Sequence, residues 1–222
     1  MHGYMIYVLP GFLLAMIATW ITRSTFARYS RVSASSGLTG AQAARRLLDS
    51  QGLTQVSIER AGGFLSDHYD PTSRVLRLSP EVYDAPTLSA IGVACHEAGH
   101  ALQHASRYRP LVLRTGMVPI TQFGSRLAGP ILIGGLMFNF PPLINLGILL
   151  FIGVVAFTLV TLPVEWDATS RAKQLMVRSG IVLPQESAQA GAVLNAAFLT
   201  YVASAVSAVL TLLYYLSRAR RR

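Results

Sequence analysis

Four long stretches of this chain are almost continuously apolar. They run approximately over 4–21, 117–138, 143–162 and 192–216, and each approaches the ~20 apolar residues that a bilayer-crossing helix needs. Between them the pattern changes. Gly40 to Gln51 places Ala41, Ala44, Leu47 and Leu48 on one side and Arg45 and Arg46 on the other, the signature of a short amphipathic helix, and Gly52 ends it. Val56-Ser57-Ile58-Glu59 alternates like a strand, Arg74 to Ser79 reads as a second one, and Asp70-Pro71-Thr72-Ser73 supplies a turn. From Thr87 to Ser106 no proline interrupts a helical pattern with a small apolar stripe of Ile91, Ala94, Cys95, Ala98, Ala101 and Leu102. Asp84 is its expected cap, and Pro86 suits a first turn. Another helical pattern opens at Pro163 and runs to Ser179, with Gly180 as its stop.

These patterns predict a mainly α protein with four transmembrane helices and a small membrane-apposed α+β domain. The expected segments are an anchor at 1–22, an extramembrane domain at 23–116, a transmembrane hairpin at 117–162, a helix at 163–191, and a last span with a basic tail at 192–222. The first stretch has no basic residue before it and no clear small-x-small cleavage site, so it reads as a retained anchor. Trp20, Tyr214 and Tyr215 sit near span ends, where interfacial aromatics collect. Neither soluble portion is large enough for its own core, so one compact domain built from both is expected. Composition agrees: 52% of residues are apolar and 13% charged, against ~25% charged in soluble domains. A single cysteine excludes an internal disulfide.

The chemistry is concentrated in His96-Glu97-Ala98-Gly99-His100, an H-E-x-x-H pattern. Histidines at i and i+4 share one helix face, so their imidazoles can converge on one zinc ion. Glu97, beside the first histidine, can act as general base toward a metal-bound water. A helix with two buried, hydrogen-bonded histidines is the plainer alternative, but it must bury Glu97 without a partner. The third ligand has to come from elsewhere. His104 continues the series, but a straight helix rotates it away from His96, which makes it a supporting or interface residue. Cys95 points to a neighbouring face and reads as a small core residue. Glu165, near the start of the next helical pattern, is the favoured ligand in a chain with only ten acidic residues. Asp167 competes with it, or orients a histidine.

Several motifs together resemble the YugP-type membrane zinc metallopeptidases. They are His96 to His104, Asp67-His68-Tyr69-Asp70-Pro71 with Arg77-Leu78-Ser79, and Leu162-Pro163-Val164-Glu165. Gly37 to Arg45 and Leu194 to Val202 also fit, so the resemblance covers nearly the whole chain. It implies a multipass bacterial inner-membrane protein with a zincin-like metallopeptidase domain. Its reaction would be hydrolysis of peptide bonds in a peptide or membrane-protein substrate. One departure stands out: many glutamate-ligand peptidases carry an acid four residues after that glutamate, and this chain has Thr169.

For the oxyanion that develops during hydrolysis, His68, Tyr69 and Arg171 are the donor candidates, with His68 ranked first. His68 is equally at home as a surface turn residue. Two rival functions remain open. One is a site-2-type intramembrane protease, since 139–147 resembles the ligand segment of those enzymes but lacks its aspartate. The other is a non-catalytic scaffold held by zinc, against which the His-His-Glu donor set and an intact Glu97 argue. Two spans are expected between His100 and Glu165, which returns both to one membrane face. The net charge is +9, and Arg23, Arg28 and Arg31 after the first span favour a cytoplasmic catalytic face, while the basic tail argues the reverse. Arginines beside a bilayer meet anionic lipid, so the charge does not call for nucleic acid. Arg126, inside the second stretch, is expected to snorkel.

Overall fold

The computed structural model describes residues 2–63 and 66–220. Along the chain lie α1 (His2–Tyr29), α2 (Gly40–Ser50), β1 (Ser57–Arg60), β2 (His68–Asp70), β3 (Val75–Leu78), α3 (Pro80–Tyr83) and α4 (Leu88–Ala105), followed by α5 (Arg109–Met137), α6 (Pro141–Arg178) and α7 (Pro184–Arg220). The chain divides into two compact units. One comprises Met1–Thr19, Arg109–Pro163 and Thr200–Arg222, the other Trp20–Tyr108 and Val164–Leu199.

The second unit is built around a core of Leu47, Leu48, Leu76, Leu78, Ile91, Cys95, Met176 and Leu194. The amphipathic reading of α2 holds, with Ala43, Ala44, Leu47 and Leu48 fully buried. Thr39 caps it: its hydroxyl accepts from the Gln42 N–H, and the Gln42 side chain accepts from the Thr39 N–H. The three strands form a mixed sheet in the order β1-β3-β2, with β1 parallel and β2 antiparallel to β3. β2 is too short to show alternation, which is why only its turn was legible. Asp70 fastens that turn by accepting from the Thr72 N–H, the Ser73 N–H and the Ser73 hydroxyl.

The helix that carries both histidines, α4, starts one step later than expected. Its cap is Thr87, whose Oγ1 accepts from the Ala90 N–H at 3.4 Å. Asp84 closes α3 instead, donating its N–H to the Pro80 carbonyl. The segment between runs extended against 32–34, with Ala34 N–H on the Pro86 carbonyl and Leu88 N–H on the Val32 carbonyl. That pairing keeps Pro86 out of the helix.

Three helices are long and apolar enough to cross a membrane: Met5–Tyr29, Pro141–Arg178 and Pro184–Ala219 among the described residues. This corrects the expectation of four. α5 is a helix of 29 residues, but Arg109, Arg114, Gln122 and Arg126 dilute its apolar character. Arg126 is exposed on its surface. Within the first unit α5 lies antiparallel along α6. A Cβ at Gly147 would fall 2.6 Å from the Leu132 side chain, and one at Gly135 2.8 Å from the Ile144 nitrogen. Small residues at such contacts let helices approach closely where lipid offers no hydrophobic drive. α1 meets α7 in the same way, with the Ser207 hydroxyl donating to the Gly11 carbonyl at 2.9 Å.

A second correction concerns Pro163. It does not begin a helix; it lies inside α6, which runs unbroken for 38 residues. An interior proline removes one N–H bond, a loss that long apolar helices tolerate. The segment carrying Glu165 is therefore the continuation of a span candidate rather than a separate element.

Candidate metal centre

The site is built from α4 and from the part of α6 that begins at Val164, both in the second unit. α4 presents His96, Glu97 and His100, with the two imidazole centroids 4.8 Å apart and nearly perpendicular. α6 presents Glu165, which is 1% exposed and so almost sealed from water. The helices touch where Gly99 faces Ala168: a Cβ at Gly99 would lie 2.8 Å from the Ala168 carbonyl oxygen. This glycine between the two histidines is thus the contact that lets the carboxylate reach them.

His96 Nε2 lies 3.2 Å and His100 Nε2 3.6 Å from the same oxygen, Oε2 of Glu165. One donor atom from each residue falls within 4.8 Å of the others. In a tetrahedral zinc site with ligands at ~2.0–2.1 Å, neighbouring donor atoms lie about 3.4 Å apart. The three residues fit a zinc ion in donor chemistry, since two imidazoles and a carboxylate suit it, and in spacing. Burial pulls the His100 imidazole toward its neutral form, but the Glu165 hydrogen bond and the Glu97 charge outweigh this and raise its pKa.

Glu97 turns toward the sheet. Its Oε2 accepts the Tyr69 N–H of edge strand β2 at 3.2 Å. Burial raises its carboxyl pKa above the usual value, and Glu165 and Asp67 add to this, while His100 and His96 oppose it. Asp67, next to β2, is also raised by burial although it accepts from the Ser79 N–H and hydroxyl.

The remaining sequence candidates divide. His104 stands outside the donor set; its Nδ1 meets the Tyr69 hydroxyl at 2.9 Å. His68 is exposed, and its Nδ1 meets the Ser66 carbonyl at 2.7 Å. Successive strand residues face opposite ways, so with Tyr69 turned to α4, His68 turns away from it. Arg171 is engaged by Asp167, at 2.6 Å, and stacks over the Tyr108 ring. Asp167 does not approach the histidines directly; its Oδ2 accepts from Gln103 Nε2 at 2.8 Å. Cys95 is fully buried in the core, and burial holds its thiol far above the usual value.

Two residues meet the histidines in contacts that the sequence did not assign them. Gln103 Oε1 sits 3.0 Å from His100 Nδ1, and Thr169 Oγ1 sits 3.3 Å from His96 Nδ1. Helix spacing carried both: Gln103 is three residues beyond His100, and Thr169 four beyond Glu165, so each shares a face with its neighbour. Thr169 thus stands beside a histidine at the position where an acid was missed.

The family profile described as "Putative neutral zinc metallopeptidase" matches residues 4–220. The chain belongs to this family. It is 48% identical over 202 residues to the "Putative membrane protease YugP" of Bacillus subtilis (strain 168), covering 91% of this chain and 90% of that protein. No solved structure gives a significant match. The family name accords with a centre of two imidazoles and a buried carboxylate.

Proposed function

We propose that this protein is an integral-membrane zinc endopeptidase, with His96, His100 and Glu165 as ligands and Glu97 as general base. The observation that carries this is the convergence of both Nε2 atoms on one oxygen of Glu165. Family membership and the likeness to a protein named a membrane protease support it. Zinc in such a site supplies Lewis acidity, which lowers the pKa of water and polarises a carbonyl.

The chain's own residues do the rest. Glu97 takes a proton from the attacking water onto its carboxylate and passes it to the leaving amine. Burial raises its pKa, the direction that suits a group that must both accept and release a proton. The Tyr69 N–H holds that carboxylate in place. Edge strand β2 lies alongside the helix of the two histidines, where an extended peptide can add as a further strand, which supports a zincin-like reading. Tyr69 is better placed than His68 to meet a substrate on the α4 side. The substrate is a peptide or a membrane protein, the setting is a bacterial inner membrane, and the catalytic face is cytoplasmic.

The test is Glu97→Gln. The variant should bind zinc with unchanged stoichiometry while peptide hydrolysis falls by about 10²–10⁴-fold, the usual worth of a general base. Near-normal turnover would sink the mechanism. A wild type that binds zinc but hydrolyses no peptide would be the scaffold instead.

A further inference from the structure

Gln103 is fully buried and polar, on a helix face next to His100. A buried amide has to satisfy two donors and an acceptor. Here the donors are both accounted for: Nε2 donates to the Val164 carbonyl at 2.7 Å and to Asp167 Oδ2 at 2.8 Å. Both partners are acceptors only, so the amide cannot be turned over without placing its oxygen against two oxygens. Oε1 must therefore face His100 Nδ1, at 3.0 Å, and Nδ1 must be the protonated nitrogen. On the metal reading, Nε2 is then the nitrogen of His100 left to face the ion, on the side of Glu165.

The chain of contacts continues. Asp167 Oδ2 also accepts from Arg171 Nε at 2.6 Å, and the Arg171 guanidinium lies over the Tyr108 ring, 5.7 Å from its centroid. Val164 and Asp167 flank Glu165 on α6. Gln103 therefore ties the helix of the two histidines to the backbone and side chain on either side of the third ligand.

We propose that Gln103 is the positioning residue of the centre: it fixes the tautomer and direction of His100, and the Asp167–Arg171 pair fixes the orientation of Gln103. This rests on the metal reading of the site. It assigns Asp167 an indirect role, two hydrogen bonds away from the metal, and makes a neutral amide the acceptor for His100 where a carboxylate is the commoner partner.

The experiment uses the full chain in detergent, with zinc affinity measured by chelator competition. Gln103→Leu keeps the volume and removes the acceptor. It should weaken zinc binding about 10–100-fold, the usual cost of losing such a partner. The slowly exchanging His100 Nδ1 proton of the zinc-loaded wild type should be lost from the NMR spectrum. The melting temperature gained on adding zinc should shrink, because the deficit lies in the site. Gln103→Glu should weaken binding too, by setting a carboxylate against Asp167. Adding Asp167→Asn should then restore part of it, since an asparagine amide can donate to the new carboxylate. The rescue keeps the test decisive if Gln103→Leu fails to fold. Unchanged zinc affinity and an unchanged Nδ1 resonance in Gln103→Leu would overturn the proposal while leaving the ligands standing. So would equal affinity for Gln103→Glu and the double variant. Failure of the wild type itself to bind zinc would instead overturn the metal reading and this inference with it.

Discussion

Glu165 and Asp167 are two residues apart, both acidic, and differ in what surrounds them. Glu165 is buried with both imidazoles against one oxygen, whereas Asp167 is partly exposed and faces Gln103 and Arg171. Glu165→Ala should therefore abolish stable zinc binding, and Asp167→Ala should weaken it only through Gln103, within the 10–100-fold of a supporting contact. Metal analysis of both purified variants checks this, and the reverse ranking would move the ligand to Asp167. A pH effect belongs to Asp70. The Ser73 hydroxyl, the Arg77 guanidinium and the Thr72 and Ser73 N–H groups hold its carboxyl well below the usual value. A lowered folded pKa means the contribution to stability is full above about pH 4 and fades as pH falls toward the folded value. Protection of the Thr72 and Ser73 amides, measured against the intrinsic exchange rate at each pH, should accordingly fall in acid in the wild type and change little in Asp70→Asn. Equal acid sensitivity in the two would show that the turn does not depend on this carboxylate.

α4 and α6 can form the centre because Gly99 lets them approach to backbone contact. Gly99→Ala would push a Cβ against the Ala168 carbonyl, and rigid backbone cannot yield as a side chain can. The expected cost is about 1–3 kcal/mol, with a matching loss of zinc affinity as His96 and His100 move off Glu165. Gly116→Ala is the control: no atom lies within 4 Å of its added Cβ, and alanine favours a helix. Thermal melting with and without zinc reads both; equal melting of Gly99→Ala and wild type would refute the close contact. The elements were legible where local chemistry dominates. The α2 pattern, the histidine spacing and the helical run of α4 each follow from a period of 3.6. The cap of α4 was misplaced because Pro86 is held by backbone pairing with Ala34, which no local pattern reports. Glu165 could be favoured from its chemistry, but Gln103 and Thr169 matter only once two helices meet, a tertiary fact. Pro163 looked like a helix start because proline suits that place, and in an apolar run it was tolerated within α6 instead.

At the scale of the whole chain, the question is how Glu165, on a span-length helix, reaches histidines that precede it. The stretch Arg109–Pro163 lies wholly in one unit, and the flanking Tyr108 and Val164 both belong to the other. The excursion thus returns to the unit it left. α6 is apolar enough to cross a membrane, and its N-terminal end adjoins Asn139, whose positive φ turns the chain from α5 into α6. With about 1.5 Å of rise per residue, the part of α6 before Glu165 is long enough to reach across the ~30 Å hydrocarbon core. Cysteines introduced at Arg60 and at Arg178 should then label from the same side of oriented vesicles, since both belong to the unit of the metal centre. One at Asn139 should label from the other side if α5, not apolar enough to cross by itself, is carried across by its packing along α6. Cys95 is fully buried, so the background is silent. Labelling of Asn139 from the side of Arg60 would mean that α5 and α6 enter the membrane without traversing it. Labelling of Arg60 and Arg178 from opposite sides would separate the histidines from Glu165 and remove the centre altogether. The same vesicles test the proposed face: with Arg23 and Arg28 just after α1's apolar stretch, the Arg60 site should label only from the cytoplasmic side, and its exclusive labelling from outside would reverse that proposal.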